Sequence, residues 1–328
     1  MVAVTGSGQH SVLSSVHSRR AVLGLGVIGV AGGVLGCTVP TGSPGQVTGP
    51  AFEGPDGEPS PAGPPDGHDD GVHDGEHDGE GGGENDEEQD DGEGPSGEAG
   101  ATREEIVEAL GGVDPLDWGL NLPGTLVRTD LDTVAITLDA CGGPQGNGVD
   151  TTLLQVLRDH EVPATLFLNA RWRAENPGVA DELVDDPLFD LACHGDRHVP
   201  LSVTGRAAYG ITGTADVGEV VDEIIANDDW FIQRTGAISQ FTRPGTAYTD
   251  DVAIRAAQKL GRTIAGFSIN GDGGAQFSAA DVAAALDSSG PGDIILAHMN
   301  QPSGGTAQGF AQALPGLLDR GVRFGYLT

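Results

Sequence analysis

Between residues 101 and 328, short apolar runs alternate with amphipathic ones, and few folds accommodate that alternation. Strand-like runs lie at 134–138, 164–168, 188–193, 239–242, 263–269, 293–297 and 322–327. Helical patterns fill most of the gaps: 151–160 with Asp150 as N-cap, 215–233, 250–260, 279–288 and 307–319, with a weaker one at 179–184. A short helix at 102–110 and a lead-in loop at 111–130 precede them. Pro315 falls inside the last pattern, where its missing N–H works against a helix. Strands alternating with helices predict a parallel sheet covered by helices. Seven strands fit a closed or nearly closed barrel better than an open sheet. The carboxyl ends of parallel strands share one rim, so residues far apart in sequence meet there. Five of the runs end on a side chain able to do chemistry: Asp139, His194, Arg243, Asn270 with Asp272 beyond it, and His298.

The chain ahead of this region is of a different kind. Ser18-Arg19-Arg20 precedes an uncharged apolar run at 21–35, followed by Gly36-Cys37. The run is shorter than the roughly 20 residues a bilayer span needs, so residues 1–36 are expected to be an export signal. The arginine pair resembles a twin-arginine signal. Val34-Leu35-Gly36-Cys37 resembles a bacterial lipobox, in which Cys37 becomes the lipidated first residue; the alternative is a plain secretory signal with an incidental cysteine. Residues 37–100 are mostly Gly, Pro, Asp and Glu and hold too little apolar surface to offset the entropy of ordering, so a disordered acidic tether is expected. His68, His73 and His77 lie in it among carboxylates, as in a solvated low-complexity segment. The product is expected outside the cytoplasm, as a membrane-anchored lipoprotein or a secreted protein.

The chain's net charge is −33, and 18 of its 49 acidic residues fall between Glu53 and Glu98, a stretch without Lys or Arg. Residues 101–328 are acidic as well, with 31 acidic residues against 14 basic ones. This argues against a nucleic-acid partner, because phosphate binding needs clustered Lys and Arg.

His194-Gly195-Asp196-Arg197-His198 is the most specific motif: imidazoles four residues apart on a helical turn face the same way and can share one metal ion. Thr137-Leu138-Asp139, this His pair, Arg243-Pro244-Gly245, Asp272 and Leu296-Ala297-His298 follow one another in the order found in polysaccharide deacetylases, the NodB-homology group of carbohydrate esterase family 4. Residues 130–328 resemble that family. The resemblance implies a distorted (β/α)7-type barrel, a divalent metal, usually zinc, and removal of acetyl groups from a polysaccharide substrate. It also implies roles: Asp139 as base, His298 as acid, Arg243 paired with Asp139, Asp272 orienting His298, and His194 and His198 as metal ligands.

The resemblance breaks at the family's first motif, Thr-Phe-Asp-Asp-Gly, whose first Asp is the base and second a metal ligand. Here the residues are Asp139-Ala140-Cys141-Gly142-Gly143, and alanine cannot bind a metal through its side chain. Three completions follow, in order of preference. Asp139 joins His194 and His198 on the metal; or Cys141 or Asp196 supplies the anionic ligand and Asp139 remains the base; or the domain has lost its metal and only binds glycans. Cys141 and Cys193 flank the expected rim as a disulfide, as two free thiols, or with one as a thiolate ligand. Trp172 and Tyr248 are candidates for stacking on a sugar ring, with core packing as the rival role. The expected function is a lipid-anchored, metal-dependent deacetylase of an envelope or extracellular polysaccharide. The alternatives are a catalytically inactive glycan-binding lipoprotein on the same barrel, and a metal hydrolase of amide bonds outside sugars.

Overall fold

The computed structural model describes residues 100–328. The expected export signal, the Cys37 anchor and the tether up to residue 99 lie outside the described residues. Among those described, no helix is long and apolar enough to cross a membrane.

Parallel strands form one curled sheet, in the spatial order Thr263–Ile264, Phe241–Thr242, Phe189–Cys193, Ala164–Leu168, Val134–Ala140, Ile294–His298, Ile269–Asn270. The last strand, Phe324–Gly325, pairs with the start of Val134–Ala140. The run expected as one strand at 263–269 is two short ones that sit at opposite ends of this order. Thr263 and Ile264 pair with Phe241 and Thr242, whereas Ile269 and Asn270 pair with Ile295 and Leu296. One stretch of chain therefore ties the two ends of the sheet together, and the sheet curls into a distorted barrel as expected. The lead-in loop is stitched to the same stretch: the Asn121 side chain donates to the Phe267 carbonyl at 2.9 Å and accepts from its N–H at 3.2 Å.

Side-chain parity along the central strand decides what faces the site. Ile136, Leu138 and Ala140 pack outward with Leu153, Leu157, Phe310 and Leu314 of the covering helices. Ala135 points into the barrel with Phe167, Ala192, Ala265 and Ile294. Successive strand residues alternate faces, so Thr137, Asp139 and then Cys141 follow Ala135 inward. A second outer core joins the helices Arg103–Leu110, Val217–Ile225 and Asp251–Lys259 through Ile106, Val220, Ile224, Val252 and Ala256.

Most helices begin at a polar cap, of which Asp150 was legible in the sequence. Asp150 accepts from the Leu153 N–H at 2.9 Å and Asp250 from the Ala253 N–H at 2.8 Å. Thr102 and Glu105 form a reciprocal capping box. Two expectations differ from the structure. The single helix expected at 215–233 is two, Val217–Ile225 and Asp228–Thr235, because Asn227 turns inward to donate to the Gly195 carbonyl at 2.7 Å. A helix over Ala170–Glu175, which the sequence pattern did not mark, carries Trp172. Trp172 is fully buried and donates to the Gly148 carbonyl at 2.8 Å, so it packs the core and offers no surface to a sugar. Pro315 sits within Thr306–Asp319 on its exposed side, where water can serve the carbonyl it leaves unpaired.

Candidate active site

The strand ends bring the expected residues to one rim. Asp139 and His298 are register partners on adjacent strands, and Cys193, which precedes His194, pairs with both Leu168 and Thr242 at the neighbouring strand ends.

Arg243 organises the interior of the rim and is fully buried. Its Nη1 donates to Asp139 Oδ1 at 2.7 Å and to Thr137 Oγ1 at 2.9 Å. Nε and Nη2 donate to the carbonyls of Ala265 at 3.2 Å and Gly266 at 3.0 Å. The guanidinium also lies 4.2 Å from the Phe167 ring centroid. Burial works against a charge on Asp139, but Arg243 and then the imidazoles of His194 and His298 outweigh it and hold the carboxyl below the usual aspartate range.

The second acid–base unit has the opposite bias. His298 Nδ1 faces Asp272 Oδ1 at 2.9 Å, and Asp272 Oδ2 accepts from the His298 backbone N–H at 2.7 Å and from Thr306 Oγ1 at 3.1 Å. Burial would lower the imidazole, yet the Asp272 carboxylate raises it well above its ordinary value. Nδ1 thus carries a proton toward Asp272, which leaves Nε2 as the working atom.

Three donor atoms, from Cys141, His194 and His198, lie within 4.8 Å of one another. Cys141 Sγ is 3.7 Å from His194 Nε2, and the two imidazoles meet edge to face with centroids 4.8 Å apart. His194 Nδ1 is 2.9 Å from the Arg243 carbonyl, so it donates there and turns the Nε2 lone pair toward the cluster. The donor set of one soft sulfur and two imidazoles suits a divalent metal of the zinc type with an open position. Burial opposes a thiolate at Cys141, but His198 and His194 draw the thiol well below its ordinary range. Asp139, expected as the third ligand, gives Oδ1 to Arg243 and keeps Oδ2 3.5 Å from His194 Nε2; it is not among the three converging donors. Nor is Asp196. Cys193 is a free thiol, as is Cys141. Its Sγ donates to the Ile224 carbonyl at 3.4 Å, on the helix side of the sheet, while Cys141 faces the rim, so parity separates the two.

The His-containing segment is not the helical turn that its spacing suggested. Gly195 and His198 both have positive φ, +73° and +59°, and the loop is moulded around a side chain that sequence reasoning missed. Glu223, buried on Val217–Ile225, accepts from the N–H groups of Asp196 at 3.0 Å, Arg197 at 2.9 Å and His198 at 3.1 Å. A Cβ at Gly195 would come within 2.6 Å of Glu223 Oε1. From the other side, Asn169 Nδ2 donates to the carbonyls of His194 at 2.8 Å and Gly195 at 3.0 Å. The available signals were a carboxylate on an otherwise apolar helix face and an asparagine directly after a strand. Thr246 and Ala247, just past Arg243-Pro244-Gly245, also have positive φ, the kind of strain that gathers at functional rims.

Tyr248 follows this strained turn. Its ring centroid lies 5.7 Å from Trp118 and 5.5 Å from the exposed Tyr209.

Residues 127–265 match the family model for polysaccharide deacetylases. Among solved structures the chain is similar to BA3943 from Bacillus anthracis, described as a CE4 family pseudoenzyme, at 19% identity over 63% of this chain and 68% of that one, with a TM-score of 0.52. It is also similar to the Bc1960 peptidoglycan N-acetylglucosamine deacetylase, at 22% identity over 62% and 91% of the two chains, with a TM-score of 0.51. A third neighbour is Bacillus subtilis PdaA, a family 4 carbohydrate esterase, at 19% identity over 68% and 86%, with a TM-score of 0.50. No curated protein matches the chain. At these identities the neighbours speak to the fold alone, and together with the family match they agree with the order of motifs along the strands. Residues 127–265 thus resemble a polysaccharide deacetylase domain, and within that span the first motif departs from the family pattern.

Proposed function

We propose that the protein is a metal-dependent deacetylase that removes acetyl groups from an envelope or extracellular polysaccharide, tethered to the membrane by a lipid on Cys37. The observation that carries the reading is the opposed bias of two register partners beside one donor cluster. Asp139 is held charged by Arg243, and His298 is held protonated by Asp272. Two titratable groups pushed apart in this way divide into a base and an acid.

A divalent metal held by His194, His198 and a third donor would supply Lewis acidity, polarising an acetyl carbonyl and lowering the pKa of a water toward about 7. Asp139 takes the water's proton on Oδ2, the oxygen that Arg243 leaves free, as the water oxygen bonds to the acyl carbon. His298 Nε2 gives its proton to the departing nitrogen or oxygen as the bond to the acyl carbon breaks, and acetate remains. Arg243 and Asp272 touch neither reactant and fix the charge state of their partners. Tyr248 and Tyr209, with Trp118, offer an aromatic rim on which a sugar ring can stack.

Release of acetate from an acetylated chito-oligosaccharide by the purified protein tests the reading. Activity is expected in the wild type and not in Asp139→Asn or His194→Ala. A wild type that binds the oligosaccharide and releases no acetate supports the second reading, an inactive glycan-binding lipoprotein, which the Ala140 departure favours. Replacing Cys37 by Ala is expected to move the protein from the membrane fraction to the soluble one.

A further inference from the structure

We propose that Cys141 is itself a metal ligand, so that Cys141, His194 and His198 form a thiolate centre for zinc-type cations and Asp139 stays off the metal. This rests on the metal-dependent reading above and adds to it the ligand that the first motif lacks.

Strand parity comes first. Ala140, at the position where the family carries its carboxylate ligand, is fully buried among the outward-facing Leu138, Leu153 and Trp172. A donor must instead come from the inward-facing set, and beyond Asp139 the next inward residue is Cys141. Asp139 is committed to Arg243 through Oδ1.

Distance comes second. A zinc–sulfur bond of about 2.3 Å and a zinc–nitrogen bond of about 2.0–2.1 Å at a tetrahedral angle put sulfur and nitrogen about 3.5 Å apart. The observed separation of Cys141 Sγ and His194 Nε2 is 3.7 Å, with the His198 donor inside the same 4.8 Å cluster. An ordinary structural cysteine has no need of two imidazoles turned toward its sulfur.

The backbone around the cysteine is also arranged to hold it. Gly142 and Gly143 take φ of +71° and +82°, and the Gly142 N–H donates to the Gly146 carbonyl at 3.0 Å. A Cβ on Gly142 would meet the Trp172 backbone nitrogen at 2.5 Å, so only glycine lets the chain turn away directly after Cys141. Arg171 Nη2 reaches the Cys141 carbonyl at 3.4 Å from the other side.

Sulfur ligation has a chemical consequence. A site with a thiolate discriminates against magnesium, calcium and manganese, which favour oxygen donors, and toward zinc or cobalt(II). With Asp139 free of the metal, its role as base survives the change of ligand.

The test loads the full chain, in wild-type form and as Cys141→Ala and Cys141→Asp, with zinc and separately with cobalt(II). Metal stoichiometry, the near-ultraviolet sulfur-to-cobalt charge-transfer band and alkylation of Cys141 by iodoacetamide are the readouts, and circular dichroism checks that each variant folds. The expected result is about one zinc per wild-type chain and a charge-transfer band. Zinc should also protect the thiol from alkylation. Cys141→Ala should lose more affinity than the roughly 10–100-fold that an outer partner of a ligand is worth. Cys141→Asp should regain metal without the band. Equal zinc binding by wild type and Cys141→Ala, with no band, overturns the thiolate centre and leaves a metal-dependent enzyme standing. A wild type that holds no metal overturns both.

Discussion

At the residue scale, the site depends on two buried ion pairs with different jobs. The Arg243–Asp139 pair lies where water cannot screen it, so losing one partner strands a buried charge. Arg243→Leu is therefore expected to cost about 3–5 kcal/mol of stability, read from the denaturation midpoint, and to abolish activity. A stability loss below about 1 kcal/mol would show that Asp139 finds other partners there. The Asp272–His298 pair sets a pH limit. The raised imidazole adds stability that is fully present below its ordinary value of 6.5 and is lost as pH rises through the higher folded value. On the proposed mechanism, general-acid action by His298 is expected to fail over the same rise. Asp272→Asn removes the charge that raises the imidazole, so the alkaline limb of kcat/KM should move to lower pH, and an unmoved limb would assign that limb to another group. Asp139, Arg243, Asp272 and His298 were all legible as polar residues at the ends of apolar runs. The partner Thr306 was not, because a hydroxyl at a helix start serves an ordinary turn as readily.

At the scale of elements, the loop from His194 to His198 is held by groups on three other segments: Asn169 after one strand, Glu223 on a helix and Asn227 at a helix break. Glutamine at position 223 would offer one acceptor and an NH2 group to a nest of N–H donors. Glu223→Gln is therefore expected to lose about 1–3 kcal/mol of stability. It should also weaken metal binding by roughly 10–100-fold, as loss of an outer partner does, while titration of zinc with a chromophoric chelator provides the measurement. If metal affinity is unchanged, the loop holds its shape without Glu223. The period of the hydrophobic pattern predicted one long helix here, because a single inward asparagine does not disturb an apolar stripe. The two-residue break at Ala226-Asn227 lets the Asn227 amide reach the carbonyls of Gly195 and Leu168, a contact set by segments far away in the chain.

At the scale of the whole molecule, residues 101–328 carry 31 acidic residues against 14 basic ones, so the folded domain repels itself at low ionic strength. Raising sodium chloride from near zero to about 0.15 M, where the Debye length falls to about 8 Å, should raise the thermal midpoint. A midpoint that falls would mean that the surface pairs, Arg103–Asp222 and Arg320–Asp287 among them, outweigh the repulsion. The sequence by itself determined the alternation of strands and helices, the cap at Asp150, and the rim residues at strand ends, because periodicity, capping and parallel pairing are written into neighbouring residues. Only the tertiary structure decided that 263–270 splits to join both ends of the sheet, that Trp172 packs inward, and that Cys141 faces His194 and His198 while Ala140 and Cys193 face the helices. Those outcomes depend on which face of the curled sheet each side chain occupies and on what lies across it, and residues far apart in the chain set both.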